Sequence, residues 1–539
     1  MKKISFFTLT AFFLFGSAKA QLFISSGSTF FIQPTGVVTV QGDLTGNADI
    51  QGGGKVLLKG AASQNVNMNG FTIPNLELDN TSNATLTGNT RIGSSLLFTN
   101  GKILAGNFNL NLADVATVNG MGTSKFVETV GTGQVIKELS TNITSNEIPL
   151  GAGTLYRPAY LTTTGTTGGN VGVQVVAAAD PNRPPSLNDY INVYWPVTKS
   201  GATGTVNMAG KYDVTDIAAG STQANIAGYY YAAPNWSSAG ESHTPASYLV
   251  SAPVSTAAGD LTGIDKFVLL SAKAYLQGAY AGSGLMTENL RTAGVAGVNV
   301  IPLTDPYRSS PYTASYSHTN NPKTETAAAS VFTTQAPTTN DITDWVFLEL
   351  RNNAASPGNA VLETRSALIR KDGMITDVDG LSPVTFNNIA PGNYTIAVRH
   401  RNHLGMSTNP ATFTPALSET KSAVTLVDFS TATASQIYNV PANGASFVIS
   451  GDAKNLLWGG NANFNTSVKY NGLGNDKDYI LVTTLGNNSA GSVNNTYHTA
   501  DVNLNGKVIY NGLGNDKDYI FNTVLGSNSA NIRTQSIPN

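Results

Sequence analysis

Asp501-Val502-Asn503-Leu504-Asn505-Gly506-Lys507 places a side-chain oxygen at every second position and then a glycine. This is the opening half of a calcium loop, D-x-[DN]-x-[DN]-G. Asp501, Asn503 and Asn505 bring oxygens to one point as the loop curls, Gly506 permits the sharp turn, and Lys507 offers its backbone carbonyl. Calcium is a hard cation that takes about six to eight oxygens, so Asp and Asn suit it. The twelfth loop position, where an acid normally closes the site, is Gly512. The Gly-Asn stretch around it reads as an insertion that delivers Asp516 or Asp518 instead. In an upstream copy Asn461, Asn463, Asn465 and Ser467 hold the equivalent places, with Asp476 and Asp478 as the matching acids. That copy lacks the leading Asp and the glycine, so its site is expected to be weaker or empty. The alternative for both is an Asx-rich turn that binds nothing.

The copies are marked by the strongest internal signal in the chain. Tyr470-Asn471-Gly472-Leu473-Gly474-Asn475-Asp476-Lys477-Asp478-Tyr479-Ile480 recurs unchanged 40 residues on, from Tyr510. Identity over that length marks two copies of one unit. After each copy the apolar spacing turns helical, as in Ile520, Phe521, Val524 and Leu525. Asp516 or Asp518 is expected to cap the second helix and Gly526 to end it. Calcium here would be a structural ion that couples binding to folding of the loop–helix pair.

The elements upstream read as mainly β. Met1-Lys2-Lys3, an apolar run from Ile4 to Phe15 and Gly16-Ser17-Ala18-Lys19-Ala20 form a signal peptide over residues 1–20, cut after Ala20. Residues 21–122 carry short β runs about every ten residues, among them Val37-Val38-Thr39-Val40 and Lys55-Val56-Leu57-Leu58. Such runs suit a β-solenoid, in which each rung buries its neighbour's apolar face, with a β-sandwich as the alternative. Residues 123–274 have longer strands and read as a β-sandwich, with a hairpin over 125–139 and strands at 191–197, 227–231 and 266–270. Residues 275–450 read as a second sandwich. Its strand at 298–301 and a long loop precede a core at 341–430. Residues 451–539 are the paired repeats.

Composition excludes several kinds of chemistry. The 539 residues include no Cys, so there is no disulfide framework, thiolate metal site or cysteine nucleophile. Charged residues are 12% of the chain and sum to −2, which argues against nucleic-acid binding. Neither G-x-S-x-G nor H-E-x-x-H occurs. His400 and His403, three apart on a strand, fall on opposite faces, so no shared metal is expected. Asp372, Asp377 and Asp379 read as turn chemistry. Tyr229, Tyr230 and Tyr231 are candidates for stacking on sugars, but alternate members are expected to fill a core. No catalytic residue is read from the sequence. After cleavage no stretch is long and apolar enough to span a bilayer.

Three resemblances add to this reading. Residues 461–480 and 501–520 resemble the loop–helix units of dockerin type I modules, most closely at Asp501, Asn503, Asn505 and Gly506. Residues 275–539 are similar to a family of large secreted Bacteroidetes surface proteins of hemagglutinin or adhesin type. Asp344-Trp345-Val346-Phe347-Leu348-Glu349-Leu350-Arg351, Arg370-Lys371-Asp372-Gly373, Asp377-Val378-Asp379-Gly380 and Val398-Arg399-His400-Arg401-Asn402-His403-Leu404-Gly405 carry that likeness. The stretch around Pro391-Gly392-Asn393-Tyr394 resembles transthyretin-like or CnaB-type sandwiches. The resemblances imply a secreted or cell-surface, adhesin-like or structural protein that is not an enzyme. They imply glycans or surface proteins as ligands and a cohesin-like partner for the repeats. The alternative they leave is a component of extracellular polysaccharide degradation, catalytic or not, with the repeats as its dockerin.

Overall fold

The computed structural model describes residues 21–185, 187–238, 243–440 and 445–538, so the leader read at residues 1–20 lies outside it. From Leu22 the chain winds as a β-solenoid of about 6 turns. One wall stacks Leu22–Ile24, Leu44–Gly46, Gln64–Asn67, Ala84–Leu86, Ile103–Leu104, Val127–Glu128 and Leu150–Ala152 in parallel. The other stacks Val37–Val40, Lys55–Leu58, Thr72–Asp79, Thr90–Asn100, Leu110–Leu112 and Val135–Glu138. Successive side chains on a strand point to opposite faces. Val56, Leu58, Leu76, Leu78, Leu96 and Phe98 therefore line the interior, all buried. Polar turn residues stitch one rung to the next. Asn65 N–H donates to Asp43 Oδ1 at 2.9 Å and Asn69 Nδ2 donates to Asn47 Oδ1 at 2.5 Å, each pair 22 residues apart.

Phe98 fills a middle rung, so Phe98→Ala is expected to cost about 3–5 kcal/mol. Denaturant unfolding of the full chain checks this. A midpoint equal to wild type would mean a loosely packed interior at that rung.

The solenoid runs past residue 122. Val127–Glu128 and Val135–Glu138 do not pair as a hairpin, because each belongs to a different wall. Val135–Glu138 also pairs antiparallel with Asn170–Val173, and the sheet continues through Tyr190–Ser200, Ala258–Asp265, Ile226–Ala232 and Asn235–Ser238. The solenoid and the next unit thus share one hydrogen-bonded sheet. A five-stranded sheet containing Ala159–Thr164, Thr205–Lys211 and Leu249–Pro253 shares its core. Trp195 lies across Gly210 of that sheet, where any Cβ would collide with the ring.

A third large sheet runs in the order Val384–Asn387, Phe267–Lys273, Met374–Thr376, Val361–Arg370, Ile342–Arg351, Thr395–His400 and His403–Ser407. Phe267–Lys273 pairs here, on the far side of the boundary drawn at residue 274. The expected strand at 298–301 does not form. Residues 275–340 instead form a short hairpin, Tyr280–Gly282 with Leu285–Met286, followed by short helical turns and irregular chain, and bury Tyr307 and Tyr316 beside Phe347 with Tyr312 against Tyr307.

The paired repeats close on each other. Ser467–Lys469 of the first pairs with Ile532–Thr534, which follows the second. Lys507–Ile509 of the second pairs with Ser492–Asn494, which follows the first. Each repeat carries one short helical segment, α over Asp476–Asp478 and Asp516–Asp518, then π over Tyr479–Thr484 and Tyr519–Val524. The caps are Asn475 and Asn515, not the acids. Gly526 follows the second helix in the left-handed region, which costs glycine nothing. Among the described residues no helix is long and apolar enough to cross a membrane.

Candidate metal centre

The second loop brings Asp501 and Asp516 together, both at 0% exposure. Asp501 Oδ1 accepts from Asn505 N at 3.0 Å and Oδ2 from Gly506 N at 2.8 Å. Asp516 Oδ1 accepts from Val502 N at 2.9 Å and Oδ2 from Ile509 N at 3.0 Å. The insertion therefore returns Asp516, rather than Asp518, to the loop. Asn503 Oδ1 is buried without a hydrogen-bond partner, while its Nδ2 donates to Gly514 O at 2.9 Å. Asn505 Oδ1 accepts from Lys507 N at 2.9 Å.

Burial pushes the Asp501 carboxyl up to about 6, against the pull of Arg401 and two backbone N–H groups. Burial, then the charge of Asp501, hold Asp516 well above the usual carboxylate range. Each oxygen of the two carboxylates accepts one backbone N–H and keeps a second lone pair, which a proton or a cation can take. A cation there relieves the repulsion between both groups at once, and Asn503 Oδ1 supplies a further neutral oxygen. Asp501, Asn503, Asn505 and Asp516 thus fit a hard, oxygen-seeking ion.

The first loop follows the same plan with one carboxylate fewer. Asp476 is buried, accepts from Lys469 N at 2.8 Å and is pushed up by burial to about 8. Asn461 Oδ1 is buried without a hydrogen-bond partner. Asn463 Oδ1 accepts from Asn465 N at 3.2 Å, and Asn465 Oδ1 from Ser467 N at 2.7 Å. With Asn461 in place of Asp501, one carboxylate serves where the second loop has two. Asp478 and Asp518 do not join either loop. Their side chains are half exposed and accept from Asn475 Nδ2 and Asn515 Nδ2 at 2.7 and 2.8 Å, in reciprocal caps. The Lys507 side chain is exposed. The insert tips stand clear of the protein, with Leu473 97% and Leu513 101% exposed.

The repeats rest on the third sheet through a hairpin that sequence spacing concealed. His400 and His403 do not part to opposite faces. Arg401 and Asn402 form a turn that pairs His400 with His403, Nδ1 to Nδ1 at 3.0 Å. His400 Nε2 lies 3.1 Å from Asp344 Oδ2, and Gly278 N donates to His403 Nε2 at 2.9 Å, so neither Nε2 is free for a metal. The buried Arg401 reaches Asp344 Oδ2 at 3.0 and 3.1 Å, stacks on Tyr497 and donates to His498 O. Asn402 Nδ2 donates to Asp501 O at 2.6 Å, and Asn461 N donates to Asn402 O at 3.0 Å. The turn thus touches both loops. Leu404 joins the core of the repeats with Val502, Val508 and Ile520.

Burial first, then the charges on His400 and Arg401, hold His403 well below its ordinary range. Its Nε2 already accepts the Gly278 N–H, which leaves a second ring proton no acceptor. The folded pKa is depressed, so the unfolded chain takes the proton first. Stability is full above the unfolded value of 6.5 and falls as pH drops below it. Wild type is expected to lose up to about 1.4 kcal/mol per pH unit relative to His403→Gln in that range. Parallel unfolding curves from pH 7 to 5 would rule out that penalty.

Asp379 Oδ1 accepts from Leu381 N and Ser382 N, as expected of a turn. Tyr229 and Tyr230 are buried, and Tyr231 is partly open beside Trp236, with ring centroids 4.9 Å apart. Those two rings help line a cavity of about 260 Å³ with Asn182, Arg183, Asp379 and Lys421. No family model, curated protein or solved structure matches the chain.

Proposed function

We propose that the chain is a secreted cell-surface protein, adhesin-like or structural, whose paired C-terminal repeats are fixed by calcium. Export follows from the leader ending near Ala20, and the two sheet-built units after the solenoid are read as sandwich domains. The observation that carries the calcium reading is the second loop. It buries two carboxylates whose oxygens all accept N–H groups, next to an amide oxygen without a partner. The first loop, with one carboxylate, is expected to bind more weakly, because calcium affinity follows ligand charge. Calorimetric titration of the chelator-treated full chain tests both loops. The expected result is a tight event lost in Asp501→Ala and a weaker one that remains. No heat of binding at millimolar calcium would end the reading.

The cavity beside Tyr231 and Trp236 favours glycans among the ligands of such a protein. Aromatic faces with amide and charged groups nearby suit sugar rings. The same cavity supports the second reading, a component of polysaccharide degradation that uses the repeats as a dockerin. The exposed tips at Leu473 and Leu513 are then the surface offered to a cohesin-like partner. A glycan array probed with the full chain and with Tyr231→Ala tests the cavity. Binding that Tyr231→Ala leaves unchanged would place the ligand elsewhere.

A further inference from the structure

We propose that Asp305, His318 and Glu325 bind one divalent transition-metal ion of the zinc class, at a site separate from the calcium loops. One ligand atom from each residue lies within 4.8 Å of the others. All three side chains are more than nine-tenths buried. Asp305 Oδ2, His318 Nε2 and Glu325 Oε2 make no aligned hydrogen bond, and each faces another of the three or Arg308. His318 Nε2 lies 3.0 Å from Asp305 Oδ2. Two polar atoms that close without alignment are near enough to share one ion as ligands.

The surroundings hold each ligand from behind. Asp305 Oδ1 accepts from Tyr307 N at 2.8 Å and Glu325 Oε1 from Asn321 Nδ2 at 2.5 Å. The second oxygen of each carboxylate is thereby left for an ion. Thr364 Oγ1 accepts from Thr319 N at 2.8 Å, donates to Thr319 O at 3.4 Å and lies 3.2 Å from His318 Nδ1. With its own proton committed, the hydroxyl accepts the Nδ1–H and turns the bare Nε2 inward. Such outer contacts fix the tautomer of metal-ligating histidines. One nitrogen and two oxygens, completed by a water, make a four-coordinate zinc-type set, whereas calcium takes oxygens alone. Asp305 and Glu325 also border two separate cavities.

Two guanidiniums oppose the ion. Arg308 Nε is 3.2 Å from Asp305 Oδ2 and its Nη2 is 3.7 Å from Glu325 Oε2. Arg365 Nε is 3.4 Å from Glu325 Oε1. They identify the rival state, a metal-free ion-pair network, and supply a discriminating variant. Removing the Arg308 charge strengthens a metal site and weakens an ion-pair network.

The test is titration of the full, chelator-treated chain with cobalt(II) in excess calcium, read by the visible absorption of four-coordinate cobalt. The expected result is one equivalent bound, displaced by zinc, lost in His318→Gln and at least tenfold weaker in Glu325→Gln. Arg308→Gln is expected to tighten binding several-fold, and Asp501→Asn to leave it unchanged. Absence of the cobalt band in both wild type and Arg308→Gln would overturn the proposal and leave the ion-pair network. A band that survives His318→Gln would also overturn it. Should His318→Gln fail to fold, Glu325→Gln and Arg308→Gln decide.

Discussion

Asp344→Ala is expected to destabilise the third sheet and the repeats resting on it by about 3–5 kcal/mol, the cost of leaving a buried charge without its partner. Asp344 is 0% exposed and holds four groups. Oδ2 faces His400 and Arg401, while Oδ1 accepts from Tyr497 at 2.7 Å and from Trp345 N at 2.7 Å. Burial alone would raise its carboxyl. Arg401, His400 and the Tyr497 hydroxyl outweigh that and hold it at about 2. The folded value lies below the unfolded one, so the contribution is present above the unfolded pKa of 3.8 and lost as pH falls through about 2. Denaturant unfolding near neutral pH, with Asp344→Ala beside wild type, measures the loss. A change under 1 kcal/mol would mean that solvent reaches Arg401 once the carboxylate is gone. Because Arg401 and Asn402 also reach His498 and Asp501, the variant should loosen the repeats in the same transition.

Asp516→Ala is expected to abolish the larger part of the thermal stability that depends on calcium, the part owed to the second loop. At calcium 100-fold above Kd a single site contributes about 2.7 kcal/mol. Wild type should therefore melt higher in calcium than in chelator, and the variant should keep only the smaller shift that the first loop supplies. The full chain is the right object for this melt. Residues 451–539 share their core with Leu404 and their loops with Asn402, so a fragment would lack its support. Wild-type melts that coincide in calcium and chelator would leave two Asx-rich loops without an ion.

Much of the solenoid was legible because each strand carries its own alternation. The runs at Val37–Val40, Lys55–Leu58, Ala84–Leu86 and Leu110–Leu112 coincide with strands. Where one wall ends and the other begins was not legible, because alternation is local and rung pairing is not. That is why 125–139 reads as a hairpin while its strands lie in separate ladders. The clustering of oxygens in the second loop was legible from their spacing, and the return of Asp516 was one of two options that only the folded insert separates. His400 and His403 misled because Arg401-Asn402 lacks the glycine or proline that usually announces a turn. Asp305, His318 and Glu325 were illegible, since residues 275–340 have no period for a pattern to reveal. Thr364, from a strand of the third sheet, supplies what orients the histidine.

The crossed pairing of the repeats also sets an order of assembly. Ser467–Lys469 has no strand partner until Ile532–Thr534 has been made, and Arg351 Nη1, which donates to Pro538 O, waits 187 residues for that acceptor. Solenoid rungs, by contrast, find their neighbours about 20 residues away and can zip up as the chain emerges. The N-terminal coil can thus be complete while the carboxy-terminal ring is still open. A chain halted short of residue 532 would present a finished solenoid and an unpaired strand edge at Ser467–Lys469, the kind of edge that recruits other chains.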